Sequence, residues 1–190
     1  DAMAESTRRE VLKRGAWMLA AGGCGLGIAK PARAIPPIGR TRPSHLKLSI
    51  AAYSYRQLLT AKPPKMTLFD YADLAADMAL DAIEPTSYYF PPDVTTEYLH
   101  KLRQHAFRLG LDISGTAIGN NFCFPPGPKR DEQIASTKLW IDRAAELCAP
   151  VIRIFGGTAP KEVTEEQAVA WAIEGIREVL PYAESKGITL

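Results

Sequence analysis

Cysteine and histidine are scarce, with three of each in 190 residues. His45 stands in a proline-broken stretch, and His100 and His105 lie five apart on one helical segment. Five residues place two side chains on different helix faces, so the pair lacks the i, i+4 spacing of metal-binding histidines. Cys123 falls in a loop and Cys148 at the far end of the helix that follows. A helix of that length rises about 25 Å, whereas bridged Cα atoms lie within about 7 Å. Both thiols are expected to be free. An excess of charge of either sign is also missing. Residues 1–34 hold six Lys/Arg against three Asp/Glu, which leaves 17 basic and 18 acidic residues in the remainder. That balance excludes the clustered basic surface of a nucleic-acid binder. No apolar run is long enough for a stable membrane anchor: residues 16–29 are Gly/Ala-rich and short of the roughly 20 residues a span requires.

What the N-terminal segment does contain is an address. Arg8 and Arg9 precede the weakly apolar residues 16–29, and Ala32-Arg33-Ala34 has the small-x-small form of a cleavage site. Paired arginines followed by modest hydrophobicity match a twin-arginine export signal. The expectation is a signal peptide over residues 1–34, cleaved after Ala34. The protein would then be exported, periplasmic or secreted, with no stable membrane anchor after cleavage. Residues 35–46 contain three prolines and read as a linker.

From residue 47 the pattern alternates strand and helix. Strands are expected at residues 47–52, 81–85, 111–116 and 150–155, with the start of a fifth at 188–190. Helices are expected at 68–78, 95–109, 130–148 and from 165 onward. Thr67 with Asp70, and Thr164 with Gln167, have the spacing of capping boxes. Gly110 and Gly187 stand where helices end. In the last helix Val169, Ile173, Ile176, Val179 and Leu180 share a face, and Pro181 is a candidate kink. Strands alternating with helices of this length pair in parallel through right-handed crossovers. Two architectures fit: a doubly wound open sheet of five strands, or a (β/α)₈ TIM barrel truncated after about four βα units. The first βα turn, Tyr53-Ser54-Tyr55-Arg56-Gln57, lacks the glycine-rich phosphate cradle of many open sheets. The barrel is the better fit, with strands in sequential order.

Several phrases carry a resemblance. They are Leu48-Ser49-Ile50-Ala51-Ala52-Tyr53-Ser54, Phe69-Asp70-Tyr71-Ala72-Asp73-Leu74-Ala75, Leu80-Asp81-Ala82-Ile83-Glu84-Pro85 and Leu109-Gly110-Leu111-Asp112-Ile113-Ser114-Gly115. Two more follow: the segment from Leu147 to Gly157 around Val151-Ile152-Arg153-Ile154-Phe155, and Ala183-Glu184-Ser185-Lys186-Gly187-Ile188-Thr189-Leu190. In order and spacing, residues 47–190 resemble the N-terminal half of the sugar isomerase/epimerase family with a xylose isomerase-like TIM barrel. That resemblance implies metal-assisted proton transfer beside the carbonyl of a small carbohydrate substrate. It implies a divalent metal, Mn or Mg, held by carboxylates and histidines at the ends of strands five to eight. No such ligand can be assigned here, so this chain alone is expected to bind metal weakly and to be inactive.

The resemblance also directs attention to the C-terminal ends of the strands. Glu84 is the catalytic candidate, as an acid/base group or an acceptor for sugar hydroxyls; pairing with Arg153 is the competing reading. Arg153 is itself a substrate-binding candidate or a structural ion-pair partner. Tyr53 and Tyr88, with Tyr89, would stack on a sugar ring or pack under loops. Asn120 and Asn121 would bind hydroxyls or shape a turn. Two other readings stay open: a non-catalytic half barrel that binds or assembles with another copy through its open sheet edges, and a complete flavodoxin-like domain.

Overall fold

The computed structural model describes residues 46–190. The expected signal peptide, with Arg8, Arg9, Ala32 and Ala34, and nearly all of the expected linker lie outside the described residues. Five short strands, all paired in parallel, alternate with helices. The strands are β1 (Ser49–Ala51), β2 (Ala82–Glu84), β3 (Asp112–Ile113), β4 (Thr116–Ala117) and β5 (Ile152–Arg153). The helices are α1 (Arg56–Leu59, a single turn), α2 (Leu68–Asp77), α3 (Thr96–Arg108), α4 (Pro128–Leu147) and α5 (Glu165–Ser185).

β1, β2 and β3 pair in that order, with Ile50 opposite Ile83 and Ile83 opposite Ile113. β3 and β4 are two pieces of the expected third strand, separated at Ser114-Gly115. The first piece pairs back to β2, and the second pairs forward to β5, with Thr116 opposite Ile152. Parallel bridges Thr86–Ala117 and Val151–Thr189 extend the series from β2 to β4 and from β5 to the segment near the C-terminus. The strand order is therefore sequential, as in a barrel. A doubly wound sheet would require a strand to cross to the other side of β1, so that alternative is excluded.

Side-chain alternation then sorts the residues. Ile83, Ile113 and Ile152 point to the helices and are buried with Tyr71, Leu99, Leu102, Ile141 and Leu147 in the main core. The opposite, concave face carries Lys47, Ser49, Glu84, Val151, Arg153 and Phe155, all exposed or half-buried. Lys47 pairs there with Asp112, and the hydroxyls of Ser49 and Ser114 lie 2.7 Å apart across β2.

Local chemistry explains the helix boundaries. The Thr67–Asp70 capping box is reciprocal: Thr67 Oγ1 accepts from the Asp70 N–H at 3.2 Å, and the Asp70 carboxylate accepts from the Thr67 N–H at 2.8 Å. These bonds to Thr67 hold the Asp70 carboxyl below its ordinary value. At α5 half of the expected box forms, with Thr164 Oγ1 accepting from the Gln167 N–H at 3.3 Å. α4 begins two residues before the expected start because Pro128 suits the first helical turn, where its missing N–H has no partner to lose. It ends at Cys148 in the left-handed region (φ 59°), a stop without a glycine signal. Cys123 and Cys148 are both free thiols, as their separation requires.

The last helix corrects an expectation. Its inward face is Ala168, Ala172, Gly175, Val179 and Ala183, while Val169, Ile173 and Leu180 stay partly in solvent. Periodicity located the large aliphatics on one face, but small residues let the helix approach more closely. Phe122, fully buried, sits against Gly175, where an added Cβ would come within 2.9 Å of its side chain. Pro181 is accommodated without ending α5, which continues to Ser185.

Gly175→Ala should therefore destabilise the protein by about 1–3 kcal/mol through overpacking, against a helix-propensity gain of about 1 kcal/mol. A lower urea midpoint with an unchanged m-value is the expected readout. A stabilised variant would mean that Phe122 has room to retreat.

Candidate functional site

The concave face ends in a mouth at the C-terminal ends of β1, β2, β4 and β5. Glu84 is the last residue of β2 and stands in register with Ala51 of β1. Its backbone is fixed from the helix side by Tyr71 of α2, whose hydroxyl accepts from the Glu84 N–H at 3.1 Å and donates to the Ile50 carbonyl. One buried phenol thus pins β1 to β2 at the residue before the mouth. Burial pushes the Tyr71 pKa upward, so the phenol stays neutral and able to donate.

The Glu84 side chain is half-buried, and no described residue donates a hydrogen bond to its carboxylate. Desolvation raises its pKa above the ordinary carboxylate value, and the positive charge of Arg153 partly opposes that rise. The two groups sense each other without reaching ion-pair distance. Of the sequence readings of Glu84, the ion pair with Arg153 does not form: the Arg153 charge acts on Glu84, but the two are not bonded.

Arg153 is held in two other ways. Its Nη1 donates to the Ile118 carbonyl at 2.7 Å, and its guanidinium carbon lies 4.0 Å from the centroid of the Phe155 ring. Stacking and a backbone bond fix the planar head. Asn120 is buried, and its amide closes a two-way clamp on Phe155: Nδ2 donates to the Phe155 carbonyl at 2.7 Å, and Oδ1 accepts from its N–H at 2.8 Å. Asn120 therefore ties the segment after β4 to the segment after β5, and both its polar atoms are engaged there. Asn121 shapes the next turn, accepting from the Cys123 N–H at 2.9 Å.

On the other side of the mouth Tyr53 follows β1 and Tyr88 follows β2, and both rings are exposed. The Arg56 guanidinium lies 5.1 Å from the centroid of Tyr53, and Tyr88 meets Tyr89 edge to face at 6.0 Å. Burial, followed by the nearby Tyr53, raises the Tyr89 phenol pKa, while Arg56 opposes the shift. Tyr88 also rests on Gly119, where an added Cβ would lie 2.7 Å from its ring.

The sequence candidates Tyr53, Glu84, Tyr88, Asn120 and Arg153 thus all belong to one end of the sheet. Sequence reasoning passed over Arg56, Gly119 and Phe155, although Arg56 stands in the first βα turn and Phe155 two residues after Arg153. Alternation along a strand, extended by one step, points to Phe155.

Among the described residues, no three or more His, Cys, Asp or Glu are grouped to hold a metal ion. His105 is engaged with Asp73 at 2.7 Å on the helix side. The residues here do not fit a resident divalent metal, and the chemistry of this mouth is that of one carboxyl group, two guanidinium groups and exposed rings.

Because desolvation raises the Glu84 pKa, folding favours its protonated form. Its stability contribution is present below the unfolded-state pKa and is lost as pH rises through the folded value. Glu84→Gln should therefore melt higher than the wild type at pH 7, and the difference should vanish near pH 4. A gap independent of pH would mean that the carboxylate is not desolvated.

A family model described as a xylose isomerase-like TIM barrel matches residues 72–190. No curated protein matches the chain significantly. Among solved structures the chain is similar to a D-psicose 3-epimerase crystallised in the presence of D-fructose (TM-score 0.62, 20% identity), covering 75% of this chain and 50% of that one. It is similar to the D-psicose 3-epimerase of Clostridium cellulolyticum H10 with D-tagatose (TM-score 0.60, 20% identity), with the same coverages of 75% and 50%. A protein from Sinorhizobium meliloti 1021 is similar at TM-score 0.58 and 24% identity, covering 74% of this chain and 48% of that one. The chain spans about half the length of these structures, and at such identities the likeness establishes the fold.

Proposed function

From the premise that this chain belongs to the xylose isomerase-like TIM barrel family, we propose that it supplies one wall of a small-carbohydrate site of the isomerase/epimerase type. The observation that supports this reading is the convergence of a half-buried carboxyl group of raised pKa, a clamped guanidinium and exposed tyrosine rings at the C-terminal ends of parallel strands. Barrel enzymes place their chemistry at that end. A carboxyl group with a raised pKa holds its proton more readily than an ordinary carboxylate, which suits proton exchange with a substrate, and exposed aromatic rings offer a flat apolar surface to a sugar ring. Asn120 belongs to the frame of this wall through its clamp on Phe155.

We further propose that the 190-residue chain by itself does not turn over sugars. The described donors do not group around a metal, and the concave face is left with exposed Val151 and Phe155. The test is to incubate the chain with D-fructose or D-tagatose, with and without Mn²⁺, and to follow epimer formation by chromatography. Calorimetry with Mn²⁺ alone runs in parallel. The expected outcome is no product and no stoichiometric tight metal binding. Turnover that disappears in Glu84→Gln would show the chain to be catalytic. Those exposed concave-face residues also support a second reading, self-association through the open sheet; a concentration-independent monomer in sedimentation would exclude it.

Export by the twin-arginine route is likewise proposed, on the Arg8-Arg9 pair and the Ala32-x-Ala34 site. Replacing both arginines by Lys should leave the precursor in the cytosol, as read by fractionation.

A further inference from the structure

The buried polar side chains among the described residues are Thr86, Thr116, Asn120, Arg130 and Thr137. All but one are bonded. Thr116 Oγ1 donates to the Pro85 carbonyl at 2.6 Å, Thr137 Oγ1 to the Gln133 carbonyl at 2.8 Å, Arg130 to Glu174, and Asn120 holds Phe155. Thr86, 1% exposed, is the exception: its Oγ1 has no partner among the described residues. Glu146 Oε2 shares that state, but Glu146 is half-buried and stands in the last turn of α4, not at the mouth. A buried hydroxyl is ordinarily bonded, and leaving one unpaired destabilises the fold.

The position of this hydroxyl ties it to the mouth. Thr86 follows Glu84 by two residues in extended backbone (φ −88°, ψ 140°) and therefore shares its face. It bridges Ala117 in parallel, and Ala117 pairs with Arg153, so Thr86, Ala117 and Arg153 form one row across the concave face. Ala117 adds only a methyl group to that row. Tyr88 then crosses from the end of β2 to rest on Gly119, two residues beyond Ala117. A Cβ at Gly119 would meet the ring at 2.7 Å, so the seat requires glycine.

We infer that Thr86 is a specificity-determining residue: its hydroxyl bonds a hydroxyl of the bound carbohydrate, and the Tyr88 ring covers it in the free protein. The inference rests on the proposed carbohydrate site and adds a contact and a cover to it. Tyr88 is suited to move, since its ring is 43% exposed and rests on a glycine. A threonine hydroxyl both donates and accepts, which matches a sugar hydroxyl in either orientation. The bond missing in the free protein is then made in the complex.

The test uses the full 190-residue chain with Thr86→Val, which removes the hydroxyl at nearly constant shape, and Thr86→Ser, which keeps it. Without sugar, Thr86→Val should melt a few degrees above the wild type, because an unpartnered polar group leaves the interior. Gly119→Ala should push the ring aside and let water reach the hydroxyl, and in that background Thr86→Val should bring no gain. A gain of the same size in both backgrounds would overturn Tyr88 as the cover. A Thr86→Val protein less stable than the wild type would mean that the hydroxyl has a partner within the fold, and would overturn the inference. Calorimetric titration with D-tagatose and D-fructose reads the contact itself. Thr86→Val should bind at least one of them about tenfold more weakly, and Thr86→Ser should stay within about twofold of the wild type. Unchanged affinity in Thr86→Val would overturn this inference and leave the carbohydrate site standing. Binding of neither sugar by the wild type would overturn both.

Discussion

Replacing Tyr71 by Ala should lower the unfolding free energy by about 3–5 kcal/mol, the range of large aromatic-to-Ala changes in a packed core. The side chain is fully buried in the main cluster, 6.1 Å from the ring of Tyr55, and fills space between α2 and the sheet. Its hydroxyl adds a second contribution, because it joins the Ile50 carbonyl to the Glu84 N–H. Tyr71→Phe separates the two: packing is retained, and one carbonyl and one N–H lose their shared partner, at about 1–3 kcal/mol. Both values are accessible from urea denaturation of the full chain. The phenylalanine variant should also increase hydrogen exchange of the Glu84 amide. A Tyr71→Phe protein as stable as the wild type, with no change in exchange, would show that water or the neighbouring strand replaces the hydroxyl.

The second large effect is expected at Gly157. Its φ of +124° is a conformation that L side chains rarely adopt, and a Cβ there would lie 1.9 Å from Asn121 Oδ1 and 3.0 Å from the Asn121 Cα. Gly157→Ala should cost about 1–3 kcal/mol for the backbone and a similar amount for the steric overlap. Asn121 would have to abandon its bonds to the Thr158 carbonyl, at 3.0 Å, and to the Cys123 N–H. That turn leads into Phe122 and Cys123 of the second core cluster, so a melting shift of several degrees should accompany increased thiol accessibility at Cys123. Burial now raises the Cys123 pKa and shields the thiol. Gly156→Ala is the control: its added Cβ would make only an ordinary contact, 3.8 Å from Ala172. Equal effects at the two glycines would refute the conformational argument.

The same residues mark how much of this protein is legible in its sequence. Helix starts at Thr67 and Thr95 follow from local capping chemistry, in which each side chain bonds a backbone N–H three residues away. Parallel pairing follows from the alternation of strand and helix through crossovers of one hand, while the sequential order is settled by the observed pairing of β1 with β2 and β2 with β3. The positions of Glu84 and Arg153 at one end of the sheet follow from strand polarity alone. Parallel strands bring all their C-terminal ends to the same side, whatever the side chains are.

Tertiary structure decided the rest, because the deciding partners are distant in sequence. The inward face of α5 was settled by how closely Gly175 and its neighbouring alanines approach Phe122, and hydrophobic periodicity favours the larger side chains instead. Asn120 reads as a turn residue or a hydroxyl binder until Phe155, 35 residues on, takes both its amide atoms. The third strand divides in two because its halves serve different neighbours, β2 on one side and β5 on the other. The charge state of the mouth is of the same kind. Composition gives a nearly neutral chain, but the field at Arg153 depends on which carboxylates come within reach, and only folding brings Glu84 near enough to be felt while keeping it too far to pair.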